Sequence, residues 1–398
     1  MPTVNTPRSY GSVTKTFHWL TVLLILTAIP LGIIANKLDY DTSEALAFKA
    51  FFFSMHKTVG VTAFFVALAR VLWALYQPKP AGLHPKRRAE SFLAELVHWL
   101  LYGSLLLVPL SGWIHHASTS GFAPIWWPFG QNLPMVPKNE SLAALTAGLH
   151  IVFERVLALS IFLHVAGALK HHFVDKDDTL RRMLPGTTEA GTPHASSKLA
   201  PFVMAIVVWI AALGVGLAIG IYNSHVAIAQ SVALEEVQSD WQVDSGMLSL
   251  EITQFGSLVS GSFEDWIAEI TYTELESQGS HGTLRAVISI GSLTLGSVTG
   301  QALGPDFFDA STHPTAEFNA DLIFQADGYT ADGTLSIRGT AIPVSMPFDL
   351  QVEGEKAQVK GRLELDRRDF KIGDNLPNEG SLAFKVNVDV TLTATRTP

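Results

Sequence analysis

His150-Ile-Val-Phe-Glu-Arg-Val-Leu-Ala-Leu-Ser-Ile-Phe-Leu-His164 is the stretch from which the organisation of this chain can be worked out. It lies inside an apolar run, 142–169, and about 20 such residues suffice to cross a bilayer as a helix. Ionisable side chains are rare within spans and mark functional positions by default. Fourteen residues at a rise of ~1.5 Å separate the two imidazoles by roughly 21 Å along the axis, and 14 steps of ~100° return to within about 40° of one face. One helix thus presents an imidazole near each membrane surface.

Working outward, four more apolar segments qualify as spans: roughly 17–35, 51–76, 92–114 and 200–222. The first is too long for a secretory leader, opens with His18 and is followed by further spans. Basic residues orient the set. Arg8 and Lys15 precede the first span, Lys79, Lys86, Arg87 and Arg88 follow the second, and Lys170, Lys176, Arg181, Arg182 and Lys198 follow the fourth. The other two connections, with Asp39, Asp41 and Glu44 in one and Trp126, Trp127, Pro128 and Lys138 in the other, are poor in basic charge. The N-terminus is therefore expected in the cytoplasm, and five crossings are expected to leave residues 223–398 outside it.

Charge divides at the same place. Residues 1–225 carry 17 Lys and Arg against 11 Asp and Glu, a balance of +6. The remainder carries 10 against 25, a balance of −15, and together they give the net −9. So sharp a split indicates two environments. The basic residues form short clusters beside apolar spans rather than a stripe, so nucleic acid is not an expected partner. The chain has no cysteine, which excludes disulfides, iron–sulfur ligation, thiol catalysis and c-type haem attachment.

Beyond the spans the period changes. Short alternating runs, such as Leu248–Glu251, Thr283–Ile290, Thr334–Arg338 and Lys385–Leu392, are separated by Gly and by the Asp327-Gly328 and Asp332-Gly333 pairs. This is the pattern of an antiparallel β barrel or sandwich.

The histidines of the first four spans fall into depth-matched sets. His18 and His164 lie toward the expected cytoplasmic side, and His56 and His150 toward the other. A lone histidine at a helix end is usually an interfacial residue; two pairs matched in depth are less easily explained that way. Imidazoles facing across a bundle core suit a six-coordinate haem iron, whereas zinc prefers ligands close together, often with Cys or carboxylates. On depth alone His98 could replace His18. His115 and His116 are expected to line the surface, and His171 and His172 to be solvated in the cytoplasm. Arg70 and Arg155, with Glu154 one turn beyond His150, could pair with haem propionates or attract an anionic substrate; the alternative for Arg70, near the cytoplasmic end of its span, is snorkelling.

Residues 8–185 resemble the prokaryotic cytochrome b561 family of four-helix di-haem proteins. The likeness is carried by Arg8-Ser-Tyr-Gly with Phe17-His18-Trp19, by Met55-His56-Lys57-Thr58-Val59-Gly60, by His98-Trp-Leu-Leu-Tyr102 with Pro109-Leu-Ser-Gly112-Trp113, and by His150 and His164. The resemblance implies two haem b groups, their iron ligated by His18 with His164 and by His56 with His150. It also implies electron transfer between the quinone pool and other carriers, superoxide among them.

Residues 240–398 resemble the YceI family of periplasmic lipocalin-like barrels. The relevant residues are Trp241-Gln-Val-Asp244, Gly256, Gly261-Ser-Phe263, Asp306-Phe-Phe-Asp309, His313-Pro-Thr-Ala-Glu-Phe318, Gly333-Thr-Leu-Ser-Ile-Arg-Gly339, Pro343–Pro347 and Asp366-Arg-Arg-Asp-Phe370. The chain departs from the family at Ser245-Gly246-Met247, where a His-Ser pair is common. The resemblance implies a cavity for an isoprenoid chain, as an eight-stranded barrel can hold. Candidate lining residues are Phe255, Phe263, Trp266, Phe307, Phe308, Phe318, Phe324 and Phe348. No catalytic triad or phosphate loop is present in this half.

The expected architecture is an all-α four-helix transmembrane di-haem bundle over 8–185 and a cytoplasmic linker over 186–198. A fifth transmembrane helix over 199–223 then leads to an all-β lipocalin-like antiparallel barrel over 240–398. The expected protein is a multi-pass cytochrome of a bacterial inner membrane with a periplasmic barrel for a quinone or polyisoprenoid. Two other readings stay open: an anchored lipid-delivery protein, or a cytochrome subunit that docks a separate dehydrogenase. A homodimer is a further possible assembly.

Overall fold

The computed structural model describes residues 2–84, 86–189, 199–222, 232–235, 239–326 and 328–397. Most of the expected linker (190–198), residues 223–231 and 236–238 before the barrel, and Asp327 of the first Asp-Gly pair lie outside the described residues. The chain divides into two compact units. One comprises Met1–Lys37, Phe51–Thr119 and Pro124–Ser224; the other comprises Leu38–Ala50, Ser120–Ala123 and His225–Pro398.

The first unit is helical: α1 (Ser12–Lys37), α2 (Ser43–Tyr76, from Phe51 on), α3 (Arg88–Ser118), α4 (Glu140–Lys170) and α5 (Leu199–Ala218). All five are long and apolar enough to cross a membrane. Their outward faces carry large apolar side chains, among them Leu23, Leu26, Leu159, Phe162 and Ile210, as helices in contact with lipid require. The start of α4 is fixed by Asn139, whose side chain accepts from the Leu142 N–H at 2.8 Å. At its other end α4 runs into a π-helical turn, His171–Asp175, stopped by Lys176 in the left-handed region at φ 54°.

Among the described residues α3 and α4 form the closest helix pair, and α5 packs on both. The Trp209 indole of α5 lies over Gly103 of α3 and 5.1 Å from the Phe153 ring of α4. The fifth helix is thus part of the helical core as well as a span. Halfway along the unit, Ala67, Leu105 and Leu157 are buried together against Ile25, so every helix from α1 to α4 contributes to one apolar layer between the histidine levels. At the end bearing the basic connections (the basic end), Lys15 Nζ donates to the Leu184 and Gly186 carbonyls at 2.7 and 2.8 Å, and the Trp19 indole donates to Met183 O at 2.8 Å.

The second unit is a curled antiparallel sheet of ten strands: β1 (Trp241–Gln254), β2 (Ser257–Phe263), β3 (Trp266–Tyr272), β4 (Gly279–Ser289), β5 (Leu293–Thr294), β6 (Thr315–Gln325), β7 (Gly328–Ile337), β8 (Thr340–Glu353), β9 (Lys356–Asp366) and β10 (Leu382–Arg396). The spatial order is β3-β4-β6-β7-β8-β9-β10-β1-β2-β5, which is consistent with a lipocalin-like barrel. It has two strands more than the eight the family likeness suggests, one of them the two-residue β5. The short helix α6 (Thr299–Ala302) follows β5.

Period-2 patterning explains the strands. In β8, Ile342, Val344, Met346, Phe348, Leu350 and Val352 face the core, and the residues between them face out. Pro343 and Pro347 fall where β8 pairs with β7 but not yet with β9, a position that tolerates a missing N–H. The edge of β3 is closed by the chain entering β1. The Ile270 carbonyl accepts from the Asp240 N–H, and the Ile270 N–H donates to Ser239 Oγ at 2.8 Å.

Candidate cofactor site and barrel cavity

Helix α2 places His56 opposite His150 of α4, with ring centres 6.4 Å apart and planes at 90°. Each ring is fixed by the same local device. His56 Nδ1 meets the Ala28 carbonyl and His150 Nδ1 the Val108 carbonyl, both at 2.8 Å. A carbonyl only accepts, so Nδ1 carries the proton and Nε2 keeps its lone pair. Four residues after each carbonyl stands a glycine, Gly32 or Gly112. A Cβ there would lie 2.9 Å from the His56 ring or 3.0 Å from the His150 ring. The imidazoles occupy the space the glycines leave, on α1 and α3 respectively.

At the basic end three imidazoles converge. His18 and His164 have ring centres 6.2 Å apart, and His98 lies 5.2 Å from His164. His98 Nδ1 donates to Ala94 O of its own helix at 2.6 Å. Arg70 Nη2 donates to His18 Nδ1 at 3.3 Å, which makes Nδ1 the acceptor and leaves the proton of the neutral ring on Nε2, the reverse of His56 and His150.

These separations test the fit of a six-coordinate iron. A metal–nitrogen bond of ~2.0 Å, plus about 1.1 Å from nitrogen to ring centre, predicts ring centres about 6.2 Å apart for imidazoles on opposite sides of the metal. The 6.2 and 6.4 Å pairs meet this; the 5.2 Å pair formed by His98 is too close.

Two arginines at the basic end have no carboxylate partner among the described residues, although Lys79, Arg87, Lys170 and Arg181 there pair with Glu95, Glu90, Asp175 and Asp178. Arg70 lies over the Tyr102 ring at 5.7 Å, and among the described residues no Asp or Glu pairs with it. Arg182 is buried against Tyr10, with Nε and Nη2 lacking any hydrogen-bond partner. Arg155 instead pairs with its neighbour Glu154 at 3.2 Å and is largely exposed. His115 and His116 are half-buried rather than open to the surface, because His115 Nδ1 is held by Ala143 O at 2.8 Å.

The sequence reading missed one cluster at the basic end. His171, expected to be solvated, stacks on His84 with planes 6° apart, and both rings bond Asp177 Oδ2, at 2.7 and 2.8 Å. Burial pushes the Asp177 carboxyl up, but the hydrogen bonds it accepts from Thr179, His84 and His171 more than offset this and hold it well below the usual carboxylate range. Spacing alone offered one hint, a histidine six residues before an aspartate just past the end of a span.

The barrel encloses an apolar cavity of about 220 Å³. Of the expected lining residues, Phe263, Trp266, Phe307, Phe308 and Phe318 border it. Phe324 and Phe348 do not; they pack on either side of Tyr329, with ring centres at 4.8 and 5.5 Å. Phe255 also stays out, being in the β1–β2 turn at φ 49°. Three polar residues border the cavity instead: Gln254, Gln301 and Arg367.

Comparison with known proteins divides along the same line. Residues 9–186 match the family described as prokaryotic cytochrome b561, and residues 241–395 match the YceI-like domain. Cytochrome b561 homolog 2 of Escherichia coli (strain K12) is 32% identical over 189 residues, 46% of this chain and 95% of that protein. A probable superoxide oxidase CybB of Yersinia pestis is 26% identical, over 45% of this chain and 97% of its own. Among solved structures, Burkholderia cenocepacia BcnA is 26% identical and covers 38% of this chain and 99% of its own, with a TM-score of 0.36.

Proposed function

The chain belongs to the prokaryotic cytochrome b561 family, whose cofactor is b-type haem, and from that premise we propose a di-haem cytochrome that passes electrons between the quinone pool and a small donor. One haem is held by His56 and His150, the other by His18 and His164. The observation that carries this reading is the presence of two imidazole pairs, at 6.4 and 6.2 Å, at opposite ends of one helical unit.

Bound haem supplies the one-electron chemistry, and the chain supplies ligation, tautomer, charge and dryness. The Ala28 and Val108 carbonyls keep Nε2 of His56 and His150 available and make those rings more basic. Arg70 and Arg182 would hold the propionates of a haem bound at the basic end, which would give both guanidiniums the anionic partners they lack. The layer around Leu105 and Leu157 keeps water from between the two levels.

Superoxide is the donor best supported, through the likeness to the probable superoxide oxidase. Two superoxide anions would each give up one electron and leave as dioxygen, and a quinone would take both electrons with two protons. On this reading the basic connections are cytoplasmic and the barrel lies in the periplasm of the inner membrane, where it binds the isoprenoid tail of a quinone or a related lipid.

Oxidised and reduced spectra of the purified protein, with haem counted per chain, test the reading. Two low-spin b haems, reducible by a quinol or by superoxide with no partner added, are expected. A single haem, or reduction only in the presence of a separate dehydrogenase, would overturn it.

A further inference from the structure

We infer that His84, His171 and Asp177 form a binding site for one divalent transition-metal cation of the zinc kind. The bound cation ties the connection between α2 and α3 to the turn that follows α4. These residues belong to neither imidazole pair of the helical unit, and the haem reading makes no use of them.

The turn after α4 is shaped so that the three side chains converge. His171 opens the π-helical segment, and Lys176 in the left-handed region turns the chain back. The Asp177 N–H then donates to the His171 carbonyl at 3.1 Å, and His171 Nδ1 stands 2.7 Å from Asp177 Oδ2. From 93 positions away, His84 Nε2 reaches the same oxygen at 2.8 Å, its ring parallel to that of His171. The two nitrogens and the oxygen all lie within 4.8 Å of one another. The other carboxylate oxygen, Oδ1, accepts from the Thr179 N–H at 2.8 Å. An outer hydrogen bond of that kind is what orients a ligating carboxylate.

Charge singles out Asp177 from its neighbours. Lys170 and Arg87 each pair with both Asp175 and Glu90, at 2.7 to 3.3 Å, two cations against two carboxylates. That quartet neutralises itself. Among the described residues Asp177 has no Lys or Arg partner, and its Oδ2 faces two imidazoles. When no cation is bound, each ring can donate an N–H to that oxygen. A neutral ring with its proton on the other nitrogen, Nδ1 of His84 or Nε2 of His171, turns a lone pair to the same point instead.

The spacing and the donor types select the ion. Zinc bonds of ~2.0–2.2 Å at tetrahedral angles set ligand atoms about 3.3 Å apart, so the 2.7 and 2.8 Å contacts need widen by only about half an ångström. Two imidazoles with one carboxylate suit zinc, cobalt or nickel; magnesium and calcium require more oxygen ligands. Three protein ligands leave a fourth position for water, and the His84 side chain, 36% exposed, gives solvent access to it.

The test uses the full chain without an affinity tag, purified with its haem in detergent and stripped by a chelator. Equilibrium dialysis against radioactive zinc counts bound zinc per chain, with haem counted in the same samples. One zinc per chain is expected, displaced by cobalt and not by an excess of magnesium. His84→Ala and Asp177→Asn should each weaken binding at least about tenfold while haem stays unchanged. Glu90→Gln, which alters only the neighbouring quartet, should bind as the parent does. Zinc should also raise the thermal midpoint of haem release in the parent and not in His84→Ala.

A parent that binds no zinc would overturn the inference. So would zinc retained by both variants, which would place it on other surface histidines such as His172. Zinc lost in Glu90→Gln but kept in His84→Ala would move the site to His171, Asp175 and Glu90, and would overturn it as well. If Asp177→Asn loses haem and so fails to fold, His84→Ala and His84→Gln, altered at a partly exposed ring, decide the outcome.

Discussion

Gly32 and Gly112 leave room for a ring where any other residue would place a methyl group. Adding that Cβ forces the imidazole or the helix to move, at a cost of about 1–3 kcal/mol. Gly32→Ala and Gly112→Ala should therefore each weaken retention of the same haem, the one lost entirely in His56→Ala or His150→Ala. His18→Ala and His164→Ala should remove the other, and His98→Ala should keep both; haem counts and reduced spectra of the seven variants check this. A protein that keeps both haems without His18 but loses one without His98 would transfer the ligand role. Asp177 makes a separate prediction. Its folded pKa is depressed, so its contribution to stability is fully present above the unfolded value of about 4 and fades as pH falls below that toward the folded value. The gap in thermal midpoint between the parent and Asp177→Asn should be largest near neutrality and shrink in acid. A gap that is constant with pH would show that the carboxylate's charge is not what holds His84 and His171.

Between β9 and β10, Arg367 joins segments that share no ladder: its guanidinium gathers the carbonyls of Ile372, Gly373, Leu376, Leu382 and Ala383. Arg367→Ala would leave these acceptors buried and unpaired, destabilising the barrel by on the order of 3 kcal/mol or more. Thermal unfolding followed by far-UV circular dichroism would show this as a lowered barrel transition, and an unchanged midpoint would refute it. Elements of this kind mark the limit of what the sequence discloses. The spans and the strands were legible because each is written in a local period, apolar over 20 residues or alternating by twos. Arg367 was legible only as part of the family stretch Asp366–Phe370; its acceptors lie up to 16 residues away and are backbone atoms that no side-chain pattern reports. Phe324 and Phe348 looked like cavity residues because alternation turns them inward, but it does not say that Tyr329 fills the space between them. Gln254 interrupts the apolar rhythm of β1 and so escaped notice. His84 and Asp177 meet across 93 positions, a separation at which one sequence carries no pairing signal.

At the scale of the whole molecule, all four proposed ligands precede residue 199. A chain ending at residue 198 should therefore keep both haem spectra, while turning over long-tailed quinones less well and short-tailed analogues as before. Equal effects on the two, or none, would separate the barrel from the electron route. A reporter active only outside the cytoplasm should be active when fused after residue 225 and silent at Gly191; the reverse would invert the orientation. The apolar layer formed by Ile25, Ala67, Leu105 and Leu157 has an electrical consequence. It is a dielectric slab between two sites roughly 21 Å apart along α4, in a hydrocarbon core of about 30 Å. With a haem at each level, as proposed, an electron passing from one to the other would cross most of the membrane's voltage drop, and at ~2.3 kcal/mol per charge per 100 mV this amounts to about 1.6 kcal/mol at 100 mV. An energised membrane would then shift the sharing of that electron between the two ends by more than tenfold, making the cell's own potential a participant in the direction of the current.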